Sequence, residues 1–258
     1  MNSELVDNAR VRRAVAAFAA DPRQATMIDV LRACLSGDLL LDATGSEVDL
    51  KDGKMQTGAM IRISHHVGPD GKRALLAFTS NAEVARMHPD GVRYQSIAQP
   101  AVAVLEMAKR QGAGWLYIDP AEKSATLSAA DIDYALRHPR NDKLSRAIAA
   151  GETGGGSRAA VVAAMREPGT LLLAGKLEEG QSRDQSPRLK VTKRPDGSTA
   201  LLAFTSAPEV AARNAADGII STTTTKVLEQ LKSGKFASIV VNPGGPWIEL
   251  TRAELIGG

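Results

Sequence analysis

The residues with the clearest potential for chemistry form the motif Phe-Thr-Ser-x-x-Glu, which occurs twice in the 258-residue chain. It spans residues 78–83 and 204–209, and in both places it follows the same apolar tetrapeptide, Ala-Leu-Leu-Ala. A Ser with a Glu three residues later is typical of a helix start, where both side chains hydrogen-bond free backbone N–H groups. We therefore predict a buried strand that ends at the serine and a helix that is capped by the same serine.

The same motif also offers a site for an anion. A helix N-terminus carries a partial positive charge and unpaired N–H groups, so Thr79 and Ser80, with Thr205 and Ser206 in the second copy, are candidate ligands. The chain lacks the G-x-x-x-x-G-K-[ST] motif of a phosphate-binding loop. The structural interpretation, capped helices with the phenylalanines in the core, is therefore favoured, and anion binding is the alternative.

A second pair of candidates lies where two later apolar segments end, at Asp119-Pro120 and Asn242-Pro243. In turns, Asp and Asn bond their own following backbone, and Pro interrupts a strand ladder, so a turn is the first interpretation. The alternative is a recognition loop, because Trp247 follows the second turn and an exposed Trp often anchors a protein contact. Asp119, Asn242 and Trp247 are therefore candidate binding residues.

Charge is distributed unevenly along the chain. Residues 1–140 hold 17 Lys and Arg against 17 Asp and Glu, so the net charge of +3 arises entirely in the remainder. A basic segment lies there, consisting of Arg183, Arg188, Lys190, Lys193 and Arg194. Solvated cations on an edge strand are the ordinary interpretation, and a patch for phosphate, RNA or an acidic partner is the alternative. The segment contains no aromatic residue on which a base could stack.

Other residue types that carry chemistry are few and scattered. His65 and His66 are neighbours on a predicted strand and point to opposite faces, which is poor geometry for one metal ion. The single cysteine, Cys34, lies in an apolar helical pattern, so we expect a buried, unreactive thiol. No Ser, His and Asp set and no metal-ligand spacing can be assembled, and we expect no catalytic residue, no metal and no cofactor.

Composition is that of a globular protein, with 43% hydrophobic and 24% charged residues. The N-terminus mixes charges through its apolar positions, unlike a secretory signal, and no stretch approaches the roughly 18 apolar residues of a membrane span. A single cysteine also fits a reducing compartment. We therefore expect a cytoplasmic protein that does not associate with membranes.

The elements that position these candidates follow from an internal duplication. The segments that align without gaps are 30–41 with 162–173, 74–80 with 200–206, and 104–120 with 227–243. The Gly-rich stretch 151–157 has the composition of a linker, but the alignment puts it inside the second repeat. The predicted repeats are therefore residues 1–139 and 140–258.

Each repeat is predicted to contain a pair of helices, several strands, two further helices, a hairpin and a closing helix. The second helix is predicted at Thr26–Leu35, with Thr26 and Asp29 as its capping box. A hairpin joins Ile61–Ile63, or Leu189–Val191, to the following apolar strand through an Asp-Gly turn. After the short capped helix, each copy passes another Asp-Gly and is predicted to enter a longer helix directly. Each repeat is then an α+β unit with a mixed, mostly antiparallel sheet.

Taken together, these features resemble the SseB N-terminal domain family of bacterial proteins. The resemblance depends on the Asn-x-x-Leu-x-x-Ala helix start at Asn141, the leucine strand, the Phe-Thr-Ser strand ends and the Asn-Pro turn at Asn242. The first repeat departs from this pattern, with Asp119 in place of the Asn and Val11 in place of the opening Leu. The resemblance covers nearly the whole chain, once per repeat. It implies two tandem α+β domains, which we expect to meet about a pseudo-twofold axis, and it carries over no catalytic residue.

The sequence therefore favours a non-enzymatic cytoplasmic binding or adaptor protein. Its protein partner would contact the cleft between the repeats or the loops around Asp119-Pro120 and residues 242–247. A small-ligand protein or enzyme with an anion at a Phe-Thr-Ser helix start is the second hypothesis. Weak association with RNA or the ribosome through residues 183–194 is the third, and the oligomeric state is left open.

Overall fold

The computed structural model describes residues 6–46, 50–51, 54–55, 62–152, 155–176 and 188–257. The chain divides into two compact units, Met1–Asp133 and Tyr134–Gly258. The repeat boundary after residue 139 stays a prediction. Within the described part of the chain, no helix has both the length and the apolar character needed to cross a bilayer.

The first unit contains five helices and eight strands among its described residues. In chain order these are α1 (Ala9–Ala20), α2 (Gln24–Ala33), β1 (Asp38–Asp42), β2 (Leu50–Lys51), β3 (Lys54–Met55), β4 (His65–Val67), β5 (Arg73–Ala77), α3 (Asn81–Ala85), β6 (Ser96–Pro100), α4 (Ala101–Arg110), β7 (Trp115–Ile118), β8 (Ala125–Ser128) and α5 (Ala129–Arg137). The last residues of α5 belong to the second unit.

The main strands of the first unit lie in the order β6, β1, β5, β7, β8. A bridge between Leu40 and Phe78 joins β1 to β5, and β5 and β7 run parallel. The other pairs, β1 with β6, β4 with β5, and β7 with β8, are antiparallel. The sheet is thus mixed and mostly antiparallel, as predicted.

The second unit repeats this arrangement. In chain order it contains α6 (Asp142–Glu152), α7 (Arg158–Arg166), β9 (Thr170–Lys176), β10 (Arg188–Leu189), β11 (Val191–Lys193), β12 (Thr199–Phe204), α8 (Ala207–Arg213), β13 (Gly218–Thr223), α9 (Thr224–Lys232), β14 (Ser238–Val241), β15 (Ile248–Thr251) and α10 (Arg252–Ile256). Its strands follow the order β13, β9, β12, β14, β15, with β12 and β14 parallel. The tandem α+β fold is therefore confirmed.

The sheet of the second unit is buried on both faces, which is why its strands are apolar at successive positions. Leu173 and Ile239 belong to a core cluster that also contains apolar residues of α6, α7, α9 and α10. Leu202, Phe204 and Val240 belong to a second, smaller cluster that includes residues of α8. Because consecutive strand residues point to opposite faces, the two clusters lie on the two sides of the sheet.

One predicted helix start is wrong. Helix α2 begins at Gln24 rather than Thr26, so Thr26 lies inside its first turn. The Thr26 hydroxyl accepts a hydrogen bond from Arg23 N at 3.2 Å, so Thr26 is the third helical residue of a capping box whose N-cap is Arg23. Asp29 does not cap the helix but pairs with Arg32 at 2.8 Å.

The first hairpin also differs from the prediction. Residues 62–64 form no strand and β4 begins at His65, while Ile61 lies outside the described residues. In the second unit the predicted strand is divided at Lys190, whose N–H donates to Ala174 O at 2.8 Å. Residues on either side of Lys190 pair with different strands, β10 with β9 and β11 with β12. The break arises because the chain moves from one strand partner to the next.

The predicted direct entry into the longer helix is wrong as well. A strand precedes that helix in both units, β6 before α4 and β13 before α9. These strands pair along one side, with β1 and β9 respectively. Their residues are mostly half-buried or exposed, so they lack the apolar pattern that identified the central strands.

Candidate functional site

The first Phe-Thr-Ser motif ends in a buried polar contact between two parallel strands. Thr79, just beyond β5, donates from its N–H to Asp119 Oδ1 at 2.8 Å and from its hydroxyl to Asp119 Oδ2 at 2.7 Å. Asp119 N donates back to Ala77 O at 3.0 Å. Thr79 is fully buried and Asp119 is 3% exposed. The carboxyl group therefore holds together the ends of β5 and β7.

The second repeat contains the same contact with an amide in place of the carboxyl. Thr205 N donates to Asn242 Oδ1 at 2.9 Å, and Asn242 Nδ2 donates to Thr205 Oγ1 at 3.0 Å. Asp119 and Asn242 have φ of 52° and 54°, the left-handed region that Asp and Asn tolerate better than most residues. Both residues do begin turns, but their side chains reach the neighbouring strand rather than their own following backbone.

An asparagine completes each contact. Asn8 N donates to Thr79 O at 2.9 Å, and Asn141 N donates to Thr205 O at the same distance. Each Asn side chain also caps the helix that follows it, accepting from Val11 N or Leu144 N. Sequence reasoning used Asn141 only for the family resemblance and overlooked Asn8, although the shared spacing to Val11 and Leu144 was visible.

These hydrogen bonds occupy the donors that an anion would need. The N–H and hydroxyl groups of Thr79 and Thr205 are already paired, and the helices that follow are short, five residues in α3 and seven in α8. The geometry therefore supports a structural role for the Phe-Thr-Ser motif. Its two phenylalanines are fully buried.

The two serines of the motif behave differently. Ser80 Oγ accepts a hydrogen bond from Glu83 N at 3.4 Å and caps α3, as predicted. Ser206 makes no side-chain cap, and its buried hydroxyl oxygen has no hydrogen-bond partner. The predicted capping role of Ser206 is therefore wrong. Pro208 lies in the first turn of α8 and lacks an N–H. One of the two backbone N–H groups from which an N-cap hydroxyl can accept a hydrogen bond is therefore missing.

The Thr–Asp contact introduces a titratable group into the first unit alone. Burial raises the pKa of Asp119 from 3.8 to about 6, although the hydrogen bonds from Thr79 oppose the rise; the negative charge of Glu83 adds to it. The equivalent Asn242 does not ionise. The first unit thus buries a carboxyl group that titrates near neutral pH at a position where the second unit is permanently neutral.

A second buried carboxylate, which sequence reasoning missed, lies at the end of β1. Asp42 Oδ2 accepts from Ser64 Oγ at 2.9 Å and lies 3.1 Å from His88 Nε2. Burial opposes ionisation of Asp42, but hydrogen bonds from Thr44 and Ser64 outweigh it and lower the pKa. Because Ser64 and His88 both contact Asp42 rather than each other, they form no nucleophile and base pair. Among the described residues, no group of three His, Cys, Asp or Glu side chains could hold a metal ion.

Trp247 is the most exposed large aromatic side chain that the structure describes, with 60% of its surface accessible. It borders a groove of about 410 Å³, which we call the first groove. Leu202 and Val240, from the smaller core cluster, provide apolar lining, and Arg194 and Arg213 line the same groove. A further groove of about 490 Å³, the second groove, is lined by Trp247 together with residues such as Val161.

The basic segment contributes to the first groove only in part. Lys193 and Arg194 line it together with Trp247. Lys190 does not line it, and Arg188 lines a different groove. Arg183 lies outside the described residues. The structure therefore brings together Trp247 and two of the five predicted basic residues.

Most cations around the first groove have acidic partners. Arg194 Nε lies 2.8 Å from Glu249 Oε1. Lys190 and Arg213 share the buried carboxylate of Asp217, at 3.5 and 3.0 Å. Nucleic-acid binding requires cations that are available to phosphates, so these ion pairs favour the ordinary interpretation of the basic segment.

Both repeats match one sequence family. The sequence model of the SseB protein N-terminal domain matches residues 11–133 and residues 144–256. The chain belongs to the SseB family. It carries two tandem copies of the SseB domain, as the resemblance implied. No curated protein and no solved structure matches the chain.

The two SseB domains differ around the first groove. The aligned pairs, first domain then second, are Tyr117 and Val240, Met87 and Arg213, and Ser124 and Trp247. In the first domain Tyr117 and Met87 pack against the core cluster that contains Phe78. In the second domain the smaller Val240 leaves room beside Trp247. Sequence reasoning selected Trp247 but missed Val240 and Arg213, because their role depends on which elements the fold places side by side.

Proposed function

We propose that this SseB-family protein is a non-enzymatic binding protein whose second unit engages a protein partner through Trp247 and the two grooves beside it. The observation that supports the proposal is the 60% exposure of Trp247. Covering about 120 Å² of indole surface, at about 25 cal/mol per Å², contributes about 3 kcal/mol. A contribution of this size is typical of the few residues that dominate a protein interface.

The extent of the site favours a polypeptide over a small molecule. Trp247 lines both grooves, of about 410 and 490 Å³, so a ligand that covers the whole indole must occupy space on either side of it. A small molecule fills one pocket of this size, whereas an extended chain can cross from one to the other. Lys193 also lines the first groove, where its ammonium group can donate to the carbonyl groups of a peptide.

The test is quantitative capture of partners from the native host by the tagged full-length protein, with and without nuclease, read by mass spectrometry. Trp247→Ala is expected to weaken capture of the partner by about 150-fold, which corresponds to about 3 kcal/mol. The matched control is Val67→Ala, because Val67 is 71% exposed in the first unit and is not among the described residues that line either groove. Both variants should keep the wild-type melting temperature.

A partner that both variants retain equally would contradict the proposal. Partners that disappear with nuclease would favour the RNA hypothesis, and their capture should then fall steeply with salt and with Lys193→Glu. We also propose a cytoplasmic location, with which the single buried Cys34 is compatible.

A further inference from the structure

A third groove of the second unit, of about 510 Å³, lies between β10, β13 and the C-terminal end of α9. Its apolar lining comes from Leu173, Leu189, Val191, Ile220 and Phe236. Leu173 and Phe236 are 3% and 5% exposed, so the walls are fixed parts of the larger core cluster. The groove therefore offers a preformed apolar surface, which is the usual basis of a small-molecule site.

Among the described residues that line the third groove, the charged ones are cations. Arg188 and Lys235 line it, and neither Asp nor Glu is among the described lining residues. Lys235 is exposed, and its Nζ lies 5.5 Å from the centroid of the Phe236 ring. An aromatic wall beside an ammonium group suits a ligand that combines a flat apolar body with a negative charge.

Gln230, on α9, adds an unsatisfied hydrogen-bonding group. It lines the groove, and its Oε1 is buried without any hydrogen-bond partner. A buried acceptor left unpaired costs about 1–3 kcal/mol, and rotation of the terminal amide toward the groove would let a ligand N–H or O–H pair with it. The first domain has the apolar Met107 at the aligned position.

The first domain has a hydrogen bond at the corresponding position. His65, the counterpart of Val191, lies with its Nε2 3.2 Å from Oε1 of Gln111, the residue that follows α4. Val191 cannot form such a hydrogen bond, and it is 40% exposed on the lining of the third groove. Phe236 is replaced by the small Ala113 in the first domain. The second domain therefore differs from the first at three positions of the groove. They are Val191, the aromatic Phe236 and the polar Gln230.

From these observations we infer a small-molecule site in the third groove. Its ligand is an organic anion with a flat apolar body and one N–H or O–H donor. The apolar body lies against Phe236 and Ile220, the anionic group lies near Lys235, and the donor pairs with Gln230. This site is independent of Trp247 and of the proposed protein partner.

Three probes separate the contributions of the ligand groups. Indole-3-acetate has the apolar body, the donor and the charge; 1-methylindole-3-acetate lacks the donor, and indole lacks the charge. We expect indole-3-acetate to give saturable amide shifts at Ile220 and Phe236 in two-dimensional NMR spectra of the full-length protein. N-methylation should weaken binding about 5-fold, the equivalent of one neutral hydrogen bond, and loss of the carboxylate should weaken it about 3-fold or more.

Variants assign these effects to residues. In Gln230→Met, which carries the residue of the first domain, the penalty for N-methylation should disappear. Lys235→Gln should remove the advantage of indole-3-acetate over indole. Lys232→Gln is the control, because Lys232 is another exposed lysine near the end of α9 that does not line the groove.

Two results would overturn the inference. One is the absence of saturable binding of indole-3-acetate at about 10 mM, where even a millimolar ligand occupies most of its site. The other is binding of all three probes with equal affinity to wild type and Gln230→Met, which would show an unspecific apolar surface. Thermal denaturation of each variant establishes that the fold is retained, and the comparison of probes on wild type needs no variant.

Discussion

Replacement of Asp119 by Asn should make the first unit more stable at neutral pH and should remove a pH dependence. The substitution installs the side chain that the second unit uses in the same contact, where Asn242 pairs with Thr205 N and Oγ1. The geometry is therefore already accommodated by an SseB domain. The substitution removes a charge, because the Asp119 carboxyl group ionises and an amide does not. That charge is buried, since Asp119 is 3% exposed.

The size of the effect follows from the pKa of Asp119, which burial raises from 3.8 to about 6. A shift of this size corresponds to about 3 kcal/mol. Between pH 4 and pH 6 the folded state binds the proton more tightly than the unfolded state does. The free energy of unfolding therefore falls as pH rises through this window. The contribution is fully present below about pH 4 and lost above about pH 6, so the Asp119→Asn variant should gain about 2–3 kcal/mol at pH 8 and almost nothing at pH 4.

The assay can report on the first unit alone, because each unit contains one tryptophan, Trp115 in the first and Trp247 in the second. In a Trp247→Phe background, urea unfolding followed by the fluorescence of Trp115 measures the first unit at a series of pH values. Asn242→Asp, measured through Trp247 in a Trp115→Phe background, is the reciprocal control. It should destabilise the second unit at pH 8 more than at pH 4.

Parallel stability curves of the parent protein and the Asp119→Asn variant across pH 4–8 would refute this reasoning. Such a result would mean that hydrogen bonds from Thr79 hold the carboxylate well enough to offset its burial, so that the pKa of Asp119 stays near that of an exposed carboxyl group. A loss of stability at every pH would instead show that the first domain cannot accept the amide, and that the two contacts are not equivalent.

Three further predictions concern single side chains. Ser80→Ala should lower the free energy of unfolding by about 1 kcal/mol because a cap is lost, whereas Ser206→Ala should be neutral or stabilising because its hydroxyl has no partner; urea unfolding of both variants tests the contrast. Burial raises the pKa of Cys34 to about 12, so a thiol-specific reagent at pH 8 should modify it only as fast as the protein opens, and rapid modification of the native protein would contradict this. Val240→Tyr, which carries the residue of the first domain, should fill the first groove and abolish partner capture without loss of stability; retained capture would exclude this groove as the binding surface.

Much of the fold could be predicted because the sequence contains an internal duplication. Repetition identified the boundaries of the helices and strands that contain the most apolar residues, such as 74–80 and 200–206. Edge strands β6 and β13 were not predicted, because they pair on one side and lack the apolar pattern of a central strand. The break at Lys190 could not be foreseen either, since it reflects a change of strand partner, a property of the assembled sheet.

For the candidate sites, the sequence likewise identified individual residues but not the contacts between them. Thr79 and Asp119 were both selected from the sequence, but as parts of separate motifs 40 residues apart. Their contact exists because β5 and β7 are neighbouring parallel strands, a pairing that local patterns do not encode. The same holds for Trp247, Lys193 and Arg194, which come from separate segments and meet at the first groove.

The duplication itself separates residues that serve folding from residues available for binding. Both domains contain the contact between an N-cap Asn, a strand-end Thr and a turn Asp or Asn. The contact joins the first helix to two strand ends, a role that both SseB domains of this chain need. Residues around the grooves differ between the domains, as Tyr117 and Val240 or Met107 and Gln230 do. A residue type found in only one copy is one that the fold does not require at that position, because the other copy folds with a different residue. The proposed binding sites lie in the second unit, at positions where it differs from the first.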